Sequence, residues 1–170
     1  MQERWFTQRN KRVQLQELTD WVALHEGSRT RRTRSTRSIP ETIAPDVSAS
    51  QLDAFEDAGW VFQERSSREL PEGVPQAKVF VRPGGRLALG TNFLTVQFPD
   101  DPAEEQANAI LQPYGCRVVE RLTFAPGLFQ VVITDQASGD IVNLANQLVD
   151  SGLVKFAEPV LIEVMGPRSP

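Results

Sequence analysis

The sequence contains too little cysteine and histidine for most metal or redox chemistry. A single cysteine, Cys116, excludes an internal disulfide and a multi-cysteine metal site. A single histidine, His25, leaves no zinc site and no credible Ser/His/Asp triad. We therefore predict a chain that is not an enzyme, that needs no cofactor, and whose Cys116 is a small buried residue.

Long apolar runs are missing as well. No segment approaches the roughly 20 apolar residues of a membrane-spanning helix. Residues 1–10 are too polar for a signal peptide. We therefore expect no membrane partner, and a chain that is made in the cytoplasm without an export signal of its own.

Positive charge is scarce outside the N-terminal part of the chain. Residues 1–40 carry nine Lys/Arg against four Asp/Glu, a balance of +5, whereas residues 41–170 carry nine against eighteen, a balance of −9. Only the N-terminal end would therefore attract nucleic acid. This balance disfavours nucleic acid as a partner of the longer, acidic part.

Residues 1–28 are predicted to form a β-hairpin segment. Val13 and Leu15 alternate with glutamines, and Thr19 followed by Asp20 is typical of a turn. A helix is the alternative, because several apolar residues also recur near helical spacing, namely Val13, Leu18, Trp21 and Val22.

Residues 29–50 are predicted to form a basic, proline-containing linker. The first ten of them are rich in arginine, and Pro40 and Pro45 follow. No aromatic residue is interleaved that could stack on a base. We therefore favour a solvated connector over a phosphate-binding arm.

Residues 51–90 are predicted to form a small αβ extension. Ser50 can cap a helix that Gly59 ends, and Gly84 and Gly85 supply the positive φ that a tight turn needs. The predicted elements are a helix over residues 51–58, a strand over 60–65 and a hairpin with strands 78–82 and 86–89.

Residues 91–165 have the clearest pattern of the chain. Strands are predicted over residues 93–98, 116–124, 128–134 and 153–157. One helix lies between Asp101 and Gly115, and a second runs from Ser138 or Asp140 to near Gly152. Right-handed crossovers turn this order into a ferredoxin-like plait, an antiparallel four-stranded sheet with both helices on one face. The predicted fold class is therefore α+β.

The two predicted helices cover only one face of that sheet. Alternation assigns the following residues to the helix-covered face: Leu94, Val96, Phe98, Val118, Leu122, Phe129, Val131, Ile133, Val154 and Phe156. It assigns to the other face Phe93, Thr95, Gln97, Arg117, Val119, Arg121, Leu128, Gln130, Val132 and Ala157. This mixed surface suits a partner protein, although the N-terminal part of the chain could cover it instead.

Residues 92–165 resemble the prodomain of bacterial subtilisin-like serine proteases, most closely the fervidolysin-like prodomain. The motifs that carry the resemblance are FLTVQF at 93–98, ILQPYG at 110–115, VV at 118–119, FAPGLFQV at 124–131 and VKFAEPV at 154–160. The last motif is the most distinctive, and together they cover less than half of the chain. The preceding residues, from Lys11 to Asn92, resemble N-terminal extensions found ahead of such prodomains.

The resemblance implies a propeptide that acts as an intramolecular chaperone and temporary inhibitor in a hydrolase zymogen. The chain would then be the non-catalytic part of a serine endopeptidase precursor. Its partner would be a subtilisin-like protease domain, in cis or in trans, which contacts the open face through Phe93, Val119, Leu128 and Val132. Glu158 takes the place of the acidic residue that caps two protease helices, whereas Val160 stands where some relatives have a second acid.

The resemblance also implies that the C-terminal residues occupy the protease cleft as an added β-strand. The residues expected in or near the cleft are Val160, Ile162, Val164, Met165, Gly166, Pro167 and Arg168, the last three within the tail 166–170. Two alternatives stay open, a freestanding protease inhibitor and a plait that binds RNA or a ligand. The acidic balance and the single candidate aromatic, Phe93, disfavour RNA.

Overall fold

A computed structural model describes residues 1–8, 11–26, 39–40, 44–66, 69–134 and 140–164. Within these ranges the predicted α+β class is confirmed, with an open, mostly antiparallel sheet of eight strands and three α-helices. The strands are β1 (Gln2–Gln8), β2 (Lys11–His25), β3 (Trp60–Glu64), β4 (Gln76–Arg82), β5 (Arg86–Gln97), β6 (Cys116–Arg121), β7 (Leu128–Ile133) and β8 (Phe156–Ile162). The helices are α1 (Ala49–Asp57), α2 (Glu104–Leu111) and α3 (Ile141–Asp150).

The strands follow the order β1-β2-β4-β5-β7-β6, and two more strands pair beside this path, β3 with β2 and β8 with β5. The chain divides into two compact units. The first unit comprises Met1–Arg4, Gln14–Gly90 and Leu161–Pro170, and the second comprises Trp5–Val13 and Thr91–Val160. Each unit is considered below over the residues that the structure describes.

Strand β2 of the first unit is continuous, so the predicted turn at Thr19 and Asp20 is wrong. An irregularity replaces it: Glu17 pairs with Phe80 and Val22 with Lys78, so β2 advances five residues while β4 advances two. Buried residues flank the predicted turn on both sides, Leu18 before it and Trp21 after it. Because both side chains belong to the core, the strand bulges but does not reverse.

Helix α1 begins two residues earlier than predicted. Ser48 occupies the N-cap position, and the hydroxyl of Ser50 lies 3.0 Å from that of Ser48. Leu52 and Phe55 are buried, and Gly59 follows the helix with a φ of 87°. The predicted helix and its end are therefore confirmed, and only the capping residue was misassigned.

The predicted hairpin of β4 and β5 is confirmed. Gly84 and Gly85 have φ values of 85° and 75°, and the N–H of Gly85 donates to the carbonyl of Arg82 at 3.1 Å. A Cβ on Gly85 would lie 1.9 Å from the carbonyl oxygen of Asp46, so only glycine fits there. Strand β5 then continues to Gln97, and the two separate strands predicted for this stretch are one.

The second unit contains four strands that pair in the order β8-β5-β7-β6, together with the adjoining ends of β1 and β2. Helix α2 lies between β5 and β6 in sequence and packs against β6, and α3 lies between β7 and β8. Most residues predicted for the helix-covered face are buried, as are most apolar residues of the two helices. These buried residues are Leu94, Val96, Phe98, Val118, Phe129, Val131, Ile133, Ala107, Leu111, Ile141, Leu144, Ala145 and Leu148.

Of the two helix starts in this unit, the sequence predicted that of α3 but not that of α2. Asp140 caps α3 as one of the two predicted candidates, because its carboxylate accepts from the N–H of Asn143 at 3.1 Å. Helix α2 starts at Glu104 and not directly after Asp101. The side chain of Gln106 accepts from the N–H of Ala103 there, at 3.2 Å.

A β-bulge in β6 changes which side chains reach each face. Val118 pairs with Val131, but Arg121 pairs with Phe129, so β6 has one residue more than β7 over this stretch. The assignment of Arg121 to the open face is therefore wrong. Its guanidinium lies 4.8 Å from the centre of the Phe129 ring, on the face that the helices cover.

Strand β8 lies further along the chain than predicted, at Phe156–Ile162 and not at 153–157. Val154 is buried just before it, and the N–H of Lys155 donates to the carbonyl of Gln97 at 2.6 Å. Pro159 therefore lies within the strand.

Candidate protein-interaction site

The open face of the second unit consists of three rows of side chains across β5, β7 and β6. The pairing of the strands sets these rows. They are Phe93, Val132 and Arg117; Thr95, Gln130 and Glu120; and Gln97 with Leu128. Residues of a sheet face that remain accessible in this way can meet a partner as a preformed surface.

The four apolar residues predicted for this face differ in exposure. Val119 is 42% exposed at the bulge of β6. Phe93 and Val132 are half-buried in the central strands β5 and β7. Leu128 is only 4% exposed, so three of the four offer apolar surface to a partner.

The polar residues of the open face are mostly neutral. Thr95, Gln97 and Gln130 are half-buried, whereas Arg117 and Glu120 are exposed and carry opposite charges. The face therefore combines apolar side chains with groups that can donate and accept hydrogen bonds. It lacks the excess of positive charge that a phosphate backbone requires.

Glu158 lies in the middle of β8 and is half-buried. Its carboxylate accepts a hydrogen bond from the side-chain amide of Gln8 at 3.2 Å, which joins β1 to β8 within the second unit. The predicted acidic residue is therefore placed on a regular strand. A partner that uses it would have to share or replace the bond from Gln8.

Three of the residues predicted to enter a protease cleft, Val160, Ile162 and Val164, belong to the fold in this structure. The carbonyl of Val160 accepts from the hydroxyl of Thr91 at 2.7 Å. Ile162 and Val164 are half-buried and pack against the apolar core of the first unit. The other predicted cleft residues lie outside the described residues, namely Met165, Gly166, Pro167 and Arg168.

Glu163, which lies between Ile162 and Val164 in the sequence, forms ion pairs with two arginines. Its carboxylate lies 2.6 Å from Nε of Arg82 and 3.9 Å from Nη1 of Arg86, at the ends of the two hairpin strands of the first unit. The short contact to Arg82 is not aligned as a hydrogen bond, so its attraction is electrostatic. This pair keeps Glu163 beside the turn between β4 and β5.

Cys116 and His25, the remaining candidates for a chemical role, are packed against other groups of the fold. Burial raises the pKa of the Cys116 thiol to about 11. The ring of His25 contacts that of Trp60 edge-on, with centroids 4.9 Å apart.

Among the described residues, no three His, Cys, Asp or Glu side chains group closely enough to hold a metal ion. The helices of this part of the chain are all too short or too polar to cross a membrane.

The strand predicted over residues 116–124 ends at Arg121, and residues 122–127 form a loop beside the open face, between β6 and β7. Asp101, predicted as a helix cap, instead accepts from the N–H of Gly127 at 2.7 Å and from Arg121 at 2.5 Å. The Gly127 N–H and then Arg121 lower the pKa of the Asp101 carboxyl. The same loop carries Phe124, which is 80% exposed. An aromatic next to Ala-Pro-Gly was the only signal for it in the sequence.

Comparison with known proteins identified no relative: no family model matches, and no curated protein or solved structure is significantly similar to this chain. We therefore infer function from the geometry of this site and from the sequence motifs.

Proposed function

We propose that this chain is a prodomain-type inhibitor that docks the open face of its second unit on a subtilisin-like serine protease. The observation that carries the proposal is the open face itself. Its central strands hold half-buried Phe93 and Val132, with exposed Val119 beside them and neutral polar groups around them. Protein interfaces combine apolar centres with polar surroundings in this way.

We further propose that the second unit is a ferredoxin-like plait. The strand order β8-β5-β7-β6 supports this, since it places the first and third strands of the unit in the centre. The positions of α2 and α3 in the sequence also fit, because each connects one strand to the next through a crossover. Such a plait leaves one sheet face for a partner.

The charge of the second unit suits a protease surface that presents helix N-termini. The second unit, residues 5–13 and 91–160, carries nine Asp/Glu against six Lys/Arg, a balance of −3. Helix N-termini carry unsatisfied N–H groups and partial positive charge. Glu158 would cap such a helix after sharing or replacing the hydrogen bond from Gln8.

The C-terminal residues would then enter the cleft only beyond Val164. Ile162 and Val164 pack on the core of the first unit, and Glu163 is paired with Arg82. The proposed cleft segment is therefore residues 165–168, and the preceding residues fix its starting point. The same docking mode serves a propeptide in cis, where it assists folding, and a freestanding inhibitor in trans.

A pair of matched substitutions tests this proposal. Gln130→Arg adds a long charged side chain to the open face, and Gln147→Arg adds the same side chain to an exposed position of α3. We expect Gln130→Arg to raise the inhibition constant against a subtilisin-like protease at least tenfold, since it obstructs and charges the docking face. Gln147→Arg should leave that constant within about twofold.

The comparison requires that both variants fold. Circular dichroism and thermal unfolding should show native structure in each, because both positions are polar and neither lies in the core. Equal inhibition constants for the two variants would exclude the open face as the docking surface. Tight binding of the unmodified chain to single-stranded RNA would instead favour the alternative function.

A further inference from the structure

Phe124 is the most exposed large apolar residue among those the structure describes. Its relative exposure is 80%, compared with 58% for Met1, 43% for Leu153 and 42% for Val119. Burying a phenylalanine side chain stabilises a protein relative to leaving it exposed. Phe124 makes no such contribution to the fold of the second unit.

Hydrogen bonds hold the loop that carries this ring. The N–H of Leu122 donates to the carbonyl of Leu128 at 2.8 Å, and the N–H of Phe98 donates to the carbonyl of Gly127 at 2.9 Å. The carbonyl of Pro126 accepts from the side chain of Gln97 at 3.1 Å. The loop is therefore fastened on both sides of Phe124, and a bound partner would have little of it left to order.

Asp101 and Gly127 fasten the far end of the loop. The carboxylate of Asp101 accepts the N–H of Gly127 at 2.7 Å, and Arg121 holds Asp101 in turn. Gly127 has a φ of 67°, and a Cβ there would lie 2.4 Å from the carbonyl oxygen of Asp100. Only glycine permits this close approach, so this loop conformation requires Gly127.

This loop borders the open face. Gln97, which bonds Pro126, belongs to the open face and pairs with Leu128 of β7. Phe124 therefore lies in the loop at the Gln97 end of the candidate docking surface. Two exposed acidic residues belong to segments next to this loop, Asp100, whose carbonyl approaches Gly127, and Glu120, near the end of β6.

We propose that Phe124 is an aromatic anchor that enters an apolar pocket on the protease, at one end of the docked sheet face. The proposal rests on the proposed function and extends it to a position that the open face does not include. Aromatic residues that fill a pocket at an interface commonly contribute most of its binding energy. Asp100 and Glu120 define the expected rim of that pocket as positively charged or rich in N–H donors.

Truncation of the ring tests this inference on the whole chain. We expect Phe124→Ala to raise the inhibition constant against a subtilisin-like protease about thirtyfold, the size typical of a lost anchor. Leu153→Ala is the matched control, since Leu153 is also an exposed apolar residue of the second unit. It should change the constant less than twofold.

Folding is checked by thermal unfolding, which we expect to be unchanged in Phe124→Ala because the ring is exposed. Phe124→Tyr keeps the ring and should retain inhibition within about threefold.

If the unmodified chain inhibits but Phe124→Ala inhibits equally well, the anchor is wrong and the proposed function stands. Equal weakening by Phe124→Ala and Leu153→Ala would also overturn the anchor. Absence of inhibition by the unmodified chain would overturn both proposals.

Discussion

A single extra residue in β6 decides which side chains the open face presents. Without the bulge, Arg121 would lie on that face and add a second positive charge to Arg117. With it, Arg121 stacks on Phe129 and bonds Asp101, and Glu120 takes the place opposite Gln130. The open face therefore carries one exposed positive and one exposed negative charge across its three strands.

The pairing of Asp101 predicts a dependence of stability on pH. The Gly127 N–H and the Arg121 guanidinium hold the pKa of Asp101 below its ordinary value of 3.8. A lowered folded pKa stabilises the fold above the unfolded value, and this stability is lost as the pH falls through the folded value. We expect the loss to begin near pH 3.8 and to be complete below the folded pKa of Asp101.

Thermal unfolding between about pH 5 and pH 2 measures this effect, with Asp101→Asn as the comparison. The variant should be less stable than the unmodified chain at pH 5, and the difference should shrink as the pH falls. A difference that stays constant over this range would show that Asp101 does not act through its charge.

The elements of the second unit were predicted better than those of the first. Alternation works where a strand has one buried face, as in β5 and β7, where Leu94, Val96, Phe129 and Val131 are all buried. Strand β2 breaks this rule over residues 21–24, where consecutive side chains, which point to opposite faces, are all buried. A run without alternation gives no period, and a turn was predicted just before it, at Thr19 and Asp20.

The site was predicted less completely than the fold. Phe93 and Val132 were placed correctly because regular pairing sets their face. The bulge beside Val119 and the burial of Leu128 depend on neighbours that a single strand pattern does not contain. The packing of Val164 was missed for the same reason, since nothing in its local sequence indicates that it packs on the core of the first unit.

A buried ion-pair group connects three strands of the first unit. Glu17 of β2 is 6% exposed, and its carboxylate lies 3.0 Å from both Nε of Arg4 in β1 and Nζ of Lys78 in β4. Glu17→Ala would leave the two cations without this partner. We expect it to lower the free energy of unfolding by roughly 2 kcal/mol, less than for a fully buried pair, because both cations are partly exposed.

Urea unfolding measures this loss, and Glu3→Ala in β1 is the matched control, since Glu3 is exposed. The control should change the free energy of unfolding by less than about 0.5 kcal/mol. Similar small changes in both variants would mean that the ion pairs of Glu17 only offset the cost of its burial.

At the scale of the whole molecule, each unit supplies a different part of the proposed function. The second unit provides the open face, Glu158 and the loop of Phe124. The first unit packs Ile162 and Val164 against its core and pairs Glu163 with Arg82. In the proposed docking mode, the cleft segment would therefore begin after Val164.

Titration of the complete chain against a subtilisin-like protease tests the central claim most directly. The measured quantity is the rate at which the protease hydrolyses a short chromogenic peptide. We predict that the rate falls to near zero as the chain is added, with competition between chain and peptide and an inhibition constant of micromolar or below. Undiminished hydrolysis at high micromolar chain would contradict the account.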